Sequence, residues 1–95
     1  MEILQQQREN KGSFYVEENG KVVAEMTYSV VNPNLIIIDH TEVDDSLKGK
    51  GAGLKLLNKT VEYARANNIK IIPLCPFAKS VFDKKHEEYK DVLRS

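Results

Sequence analysis

Apolar and polar residues alternate over two early stretches, Ser13 to Glu18 and Lys21 to Val31, with Asn19-Gly20 between them. A period of two predicts half-buried strands, because successive side chains point to opposite faces. Asn-Gly tolerates positive φ at both positions and so predicts a tight hairpin. In the second strand Val22, Ala24, Met26, Tyr28 and Val30 fall on one face, the expected core side, and Val23, Glu25, Thr27 and Ser29 on the other. Asn32-Pro33-Asn34 marks another turn. Leu35-Ile36-Ile37-Ile38 then begins a strand apolar on both faces, as expected at a sheet centre. The first half reads as an antiparallel meander, preceded by a frayed end or partial strand over Met1 to Gly12.

Along that third strand strict alternation puts Ile36, Ile38, His40 and Glu42 on one face and Leu35, Ile37, Asp39, Thr41 and Val43 on the other. Polar residues take over on both faces at once. Ligands of open α/β sheets bind beyond the carboxyl ends of strands, which makes His40 a candidate functional residue. From about Ala52 to Asn67 the period lengthens to that of a helix. Leu54, Leu57, Val61 and Ala64 form its apolar stripe, widened by Leu56 and Thr60, and Lys55, Lys59, Glu62 and Arg65 form its solvated side. Asn67-Asn68 supplies a left-handed stop.

Ile69 to Leu74 is a short strand, expected to lie parallel to the third strand after the helical crossover. Pro73 has no N–H for a ladder, so the two strands should part near its end. The amides of an acyl-pantetheine arm could pair with strand edges in such a gap. Pro76 suits a first helical position and sets Cys75 at the N-cap of a second helix, with Phe77, Ala78, Val81 and Phe82 as its apolar face. The helix dipole favours a thiolate there, so Cys75 is a candidate nucleophile. In the tail, Tyr89, Val92 and Leu93 are expected to pack and His86 to lie at the surface.

Between the third strand and the first helix runs Asp44-Asp45-Ser46-Leu47-Lys48-Gly49-Lys50-Gly51-Ala52-Gly53-Leu54. A helix start has N–H groups without intrahelical partners and the positive end of the helix dipole, so an anion there is stabilised. Gly49, Gly51 and Gly53 allow close approach, and Lys48, Lys50 and Lys55 add positive charge. A nucleoside-triphosphate loop requires G-x-x-x-x-G-K-[ST], but Gly53 is followed by Leu54 and Lys55. The dinucleotide pattern G-x-G-x-x-G would need glycine at Leu54 or Leu56. A turn that merely needs glycine is the alternative.

Composition narrows the picture further. The chain has 95 residues, 41% hydrophobic and 29% charged, with 14 basic and 14 acidic residues in balance. That is one ordinary globular domain over residues 1–95. With no long basic run, a nucleic-acid partner is not expected. No apolar run is long enough for a bilayer and Met1 to Asn10 is polar, so no membrane role and a cytoplasmic location are expected. One cysteine forms no internal disulfide, and two histidines make no metal cluster. We expect a monomer or weak dimer.

Lys48-x-x-Gly51-x-Gly53, after a strand and before a helix, resembles the [RQ]-x-x-G-x-[GA] acyl-CoA pyrophosphate loop of the GNAT superfamily of N-acetyltransferases. Lys48 departs from it, keeping a donor without the planar fork. The hairpin, I-D-H-T, K-G-K-G-A-G-L-K-L-L, I-I-P-L-C-P-F-A-K and E-Y-K-D-V segments together resemble the small one-domain GNAT proteins of the YjdJ type. The resemblance implies an α/β (α+β) trimmed GNAT fold, in which an antiparallel meander leads into a β-α-β acyl-CoA-binding unit and a short C-terminal helix. It implies an acetyl-CoA-dependent N-acetyltransferase acting on a primary amine, whether a small amine, a lysine side chain or an N-terminus. Val43 would hold pantetheine, and Lys48, Gly49, Lys50, Gly51, Ala52, Gly53 and Leu54 the pyrophosphate of acetyl-CoA or CoA. Cys75 and His40 match positions suspected of catalysis. Direct transfer, with His40 or Glu42 taking the amine proton, is favoured over an acetyl-cysteine intermediate on Cys75. Tyr89 is a packing residue or a proton donor to the departing thiolate. A non-catalytic acyl-CoA binding or sensing module is the alternative function.

Overall fold

The computed structural model describes residues 1–94. Five strands, β1 (Leu4–Arg8), β2 (Lys11–Glu18), β3 (Lys21–Asn32), β4 (Leu35–Val43) and β5 (Lys70–Pro73), form one sheet in the order β1-β2-β3-β4-β5. The first four are antiparallel neighbours, and β5 pairs parallel to β4 after the helix α1 (Ala52–Ala66). A 3-10 turn (Asp45–Leu47) precedes α1, and α2 (Pro76–Lys84) and α3 (His86–Tyr89) follow β5. This is the mixed α/β arrangement expected. Asn19 and Gly20 take φ of 53° and 78°, the hairpin geometry that their residue types favour. Asn68, at φ 56°, ends α1 with a left-handed residue.

Of the two alternatives for the amino-terminal segment, the structure shows the partial strand, Leu4–Arg8. Gln5, Gln6 and Gln7 are poor strand predictors because β1 is an edge strand with little apolar surface to hide. The strand is nonetheless held through Tyr28, whose hydroxyl accepts from Gln5 Nε2 at 2.9 Å and donates to Gln7 Oε1 at 2.8 Å. That bonding lets a buried phenol keep its polar tip satisfied, and its burial pushes the Tyr28 pKa up. Gly12 lies directly beneath the ring, where a Cβ would come within 2.4 Å of Tyr28 Cζ.

The core lies on one face of the sheet. Phe14, Met26, Tyr28, Ile36 and Ile38 meet Leu56, Leu57, Val61 and Ala64 of α1, with Ala78, Phe82, Tyr89 and Val92 closing the C-terminal side. Burying one large aliphatic side chain contributes roughly 1.5–3 kcal/mol, so this face holds the sheet and helices together. The α1 stripe is turned slightly from expectation: Leu56 and Thr60 are buried and Leu54 is only half-buried. No helix packs on the opposite sheet face among the described residues. β1 and β2 are joined by a turn at Glu9-Asn10, so nothing inserted there covers it.

Three register shifts interrupt the antiparallel ladders: one leaves Val31 unpaired next to the β3–β4 turn, and the other two break the expected alternation. Ala24 pairs with Val16 and Val22 with Glu17, which leaves Val23 as an extra residue. Val23 is therefore buried and Val22 exposed, the reverse of the expected faces. Tyr28 pairs with Ile38 and Thr27 with His40, which leaves Asp39 as the extra residue in β4.

Candidate active site

The bulge at Asp39 decides what β4 presents at its carboxyl end. Before it, Ile36 and Ile38 face the helices. After it, Met26 of the core face pairs with Thr41, whereas His40 pairs with Thr27 on the other face. His40 and Glu42 therefore do not share a face with Ile36 and Ile38, as alternation predicted; Thr41 and Val43 do. An added residue in a bulge shifts side-chain parity by one, which moves His40 and Glu42 to the open face. The bulge is pinned on the open face: Lys11 Nζ donates to Ser29 Oγ at 2.6 Å, and Ser29 Oγ donates to Asp39 Oδ2 at 2.6 Å.

Beyond Ile38, β4 parts from β5. Their ladder ends at Ile38↔Pro73, and the N–H groups of Leu74 and Cys75 both donate to the Ile38 carbonyl, at 3.1 and 3.0 Å. β4 continues to Val43 without a β5 partner, which leaves the gap expected from Pro73. At its inner end the Cys75 sulfur and the Thr41 hydroxyl lie 3.3 Å apart. Cys75 occupies the N-cap of α2 with Pro76 following, as expected, but its side chain is buried. His40 instead faces Glu42, Nε2 to Oε1 at 3.2 Å, with 65% of its side chain exposed. The structure thus places Cys75 beside Thr41 and does not pair it with His40.

The glycine loop leaves a set of backbone donors without partners among the described residues. Asp44 caps the 3-10 turn by accepting from the Ser46 N–H at 3.1 Å, which holds its carboxyl below the ordinary range. Leu47 is buried and anchors the turn to the core. Gly49 and Gly51 adopt φ of 81° and 69°, left-handed values that disfavour side chains. Among the described residues the N–H groups of Gly49 and Gly51 have no partner, and those of Ala52, Gly53 and Leu54 belong to the unpaired first turn of α1. Lys48, Lys50 and Lys55 lie in the same loop and first helical turn and make no ion pair among the described residues.

A cavity of about 370 Å³ joins this loop to the gap, bounded by Thr41, Val43, Lys48, Gly51, Gly53 and Phe77 among others. Gly49 and Ala52 also line it, whereas Lys50 and Leu54 belong to the loop and helix start without lining it. Phe77 is exposed rather than part of the buried face of α2, and its ring lies over Gly53, where a Cβ would sit 3.0 Å from Phe77 Cζ. Thr41 and Phe77 are site residues that the sequence reading did not single out. Phe77 was legible only as one of four apolar positions, and the parity shift hid Thr41. On the open face a groove of about 780 Å³ runs over Gln6, Arg8, Lys11, Ser13, Thr27 and Asp39 to Glu25. A smaller depression containing Glu25, Glu42 and Val43 links it around the end of β4 to the loop cavity.

Tyr89 is buried against Phe82, ring centroids 5.1 Å apart, and its hydroxyl donates to Asn58 Oδ1 at 2.5 Å. It serves as a packing residue with a satisfied polar tip. His86 is at the surface, as expected. No group of metal-ligating side chains occurs among the described residues, and none of their helices is long and apolar enough to cross a membrane.

The family model described as GCN5-related N-acetyl-transferase matches residues 13–92. The solution structure of a GCN5-like protein from Staphylococcus aureus is 47% identical, with a TM-score of 0.73 over 99% of this chain and 88% of that one. The ribosomal-protein-S18-alanine N-acetyltransferase of Escherichia coli is 19% identical, with a TM-score of 0.65 over 82% of this chain and 53% of that one. The chain therefore spans about half the length of that enzyme. An aminoglycoside N-acetyltransferase in complex with CoA is 9% identical, with a TM-score of 0.61 over 87% of this chain and 88% of that one. These last two likenesses concern the fold alone. No match was found among curated proteins.

Proposed function

The chain belongs to the GCN5-related N-acetyl-transferase family and is an N-acetyltransferase, and on that premise we propose that it moves the acetyl group of acetyl-CoA to a primary amine. The observation that carries this reading is the meeting of two features at one cavity: the N–H donors of Gly49 and Gly51, which have no partner among the described residues, beside Lys48, and a gap between β4 and β5. Both fit the ligand. The Gly49 to Leu54 loop, with Lys48 and Lys50, would hold the pyrophosphate through N–H groups and charge. Val43, 39% exposed at the cavity wall, would contact pantetheine, and Phe77 adds a second apolar wall.

Acetyl-CoA supplies an activated acyl group as a thioester. The amine nitrogen forms a bond to the acyl carbon, the carbon–sulfur bond breaks with its electron pair leaving on the CoA sulfur, and the amine loses a proton, so that the net products are the amide and CoA thiol. His40, or Glu42 through water, would take that proton on the open face. The buried Cys75 thiol, engaged with Thr41 and out of contact with His40, supports direct transfer over an acetyl-cysteine route. A nucleophilic cysteine needs a neighbouring base and access to the acyl group. A lone free thiol suits the reducing cytoplasm, and we place the protein there as a monomer or weak dimer.

The test is the thermal unfolding midpoint against acetyl-CoA concentration, with dephospho-CoA and ATP as comparison ligands. At 100 times Kd, binding to the native state alone adds about 2.7 kcal/mol. For a domain of this size that is a rise of roughly ten degrees. A saturable rise with acetyl-CoA and little with ATP is the expected result. No rise at millimolar acetyl-CoA, in a folded sample free of copurified CoA, would overturn the reading.

A further inference from the structure

The sheet face opposite the helices carries three cross-strand rows of side chains. One row runs Gln6, Ser13, Thr27 and His40 from β1 to β4; a second runs Arg8, Lys11 and Ser29; a third holds Tyr15, Glu25 and Glu42. The first is an uncharged polar path leading from His40 across the sheet. Lys11 and Asp39 largely answer one another, through Ser29 and at 3.8 Å directly. Two unbalanced ends remain. Glu25 and Glu42 are direct cross-strand partners of like charge beside His40, an arrangement that costs stability in a sheet. At the opposite edge Arg8 makes no ion pair among the described residues. The groove of about 780 Å³ connects them, reaching from Arg8 to Glu25. That volume suits a small molecule.

We propose that this uncovered face is the acceptor platform and that the acceptor is a dipolar molecule, a primary amine joined to a carboxylate or phosphate. The inference rests on the acetyl-transfer reading and names the substrate class for it. The ammonium end approaches between Glu25 and Glu42, where His40 or Glu42 takes its proton before attack. The anionic end reaches the Arg8 guanidinium, whose planar fork matches such groups. Arg8 and Glu42 are offset by three strand spacings across the sheet and by four residues along it, roughly 20 Å between Cα atoms, and the combined reach of the two side chains shortens the required separation to roughly 10 Å. The Thr27 hydroxyl and the Gln6 amide serve the polar middle of the molecule, with the buried Ser13 hydroxyl accepting from Gln6 Nε2 at 3.5 Å beneath it.

The experiment compares 8-aminooctanoate, 8-aminooctyl phosphate, octylamine and 1,8-diaminooctane as acceptors, by CoA release and by backbone NMR shifts with CoA present. The two anionic acceptors are expected to show KM values about three- to fivefold below the uncharged-tail amine, the range of an exposed charge pair. The preference should fade at high salt. Their binding should shift the amide signals of Gln6, Arg8, Ser13 and Thr27. Arg8→Glu, an exposed change that leaves the thermal midpoint unaltered, should reverse the preference toward the diamine. A preference between carboxylate and phosphate identifies the anionic group. Equal KM values for all four, or a wild-type preference for the diamine, would overturn the proposal while leaving acetyl transfer intact. If no acceptor is turned over, the NMR arm still decides: shifts confined to the Lys48–Leu54 loop, with none on β1 and β2, overturn it. Failure of acetyl-CoA itself to bind would strike instead at the reading beneath it.

Discussion

The Thr41 hydroxyl and the Cys75 sulfur lie 3.3 Å apart because two backbone events coincide. The bulge at Asp39 turns Thr41 toward the helices, and the β5 ladder ends at Pro73, releasing Cys75 into the cap of α2. A thiol so placed is buried behind Thr41. Cys75→Ala is therefore expected to retain most acceptor-dependent CoA release. Loss of about 100-fold or more, with an acetylated wild-type cysteine detected by mass spectrometry, would establish the covalent route instead.

His40 sits on the other side of β4 from the glycine loop, so its loss should be felt by the acceptor and not by the nucleotide. His40→Ala is expected to lower kcat on the order of 100-fold, the low end for removing a general base. The KM for acetyl-CoA should stay the same. Steady-state kinetics with both substrates varied would show whether the two effects separate.

Gly51 and Gly49 hold left-handed backbone at φ of 69° and 81°, although a Cβ on either meets no neighbour. The cost of alanine there is conformational alone, about 1–2 kcal/mol if the loop keeps its shape. Relaxation of the loop would turn the N–H donors away. Gly51→Ala should therefore weaken acetyl-CoA binding about tenfold or more by calorimetric titration, with a smaller fall in urea midpoint. Gly53 differs: its alanine would push against Phe77 at 3.0 Å, so the double change Gly53→Ala with Phe77→Leu should bind better than Gly53→Ala alone.

Gly12→Ala should destabilise the fold by about 1–3 kcal/mol, because the new methyl meets Tyr28 Cζ at 2.4 Å and the ring is fixed on both sides. Urea unfolding measures it. Adding Tyr28→Phe should recover little, since the clash is with the ring itself.

The sequence carried most of this architecture in its periodicities and turn residues. Asn19-Gly20, Asn68 and the glycine loop announce their backbone because few other residues adopt those torsions. Leu56, Leu57, Val61 and Ala64 announce a helix by spacing, and Pro73 announces the parting of β4 and β5. What could not be read were the bulges at Val23 and Asp39, because alternation assumes that no residue is skipped. Adjacent apolar residues at Val22-Val23, and polar residues taking both faces from Asp39 onward, were their traces. The strand β1 was obscure for another reason: Tyr28, 21 residues from Gln7 along the chain, provides its tertiary anchor.

Arg65 clamps the C-terminal segment, donating to both Asp91 oxygens at 2.8 and 3.0 Å and to the Glu88 carbonyl at 2.7 Å. The Arg65 hydrogen bond holds the Asp91 carboxyl below its ordinary range. Since the native value is the lower, the contribution is complete above the ordinary carboxylate value of about 3.9 and is lost as pH falls through the native one. Asp91→Asn should therefore cost about 0.5–1 kcal/mol at neutral pH. The difference from wild type should shrink toward zero in acid, as followed by urea midpoints across that range.

The order β1-β2-β3-β4-β5 in space repeats the order along the chain, so every antiparallel pairing closes a short loop. Only the β4–β5 pairing must wait for an intervening helix, and long loop closures are the slow ones. The gap at the candidate active site belongs to that single late pairing. A ligand held there requires that pairing to be complete and so binds the native state, and acetyl-CoA is expected to slow unfolding while leaving the refolding rate unchanged. The small size of this domain thus makes substrate occupancy a determinant of how long the folded chain lasts.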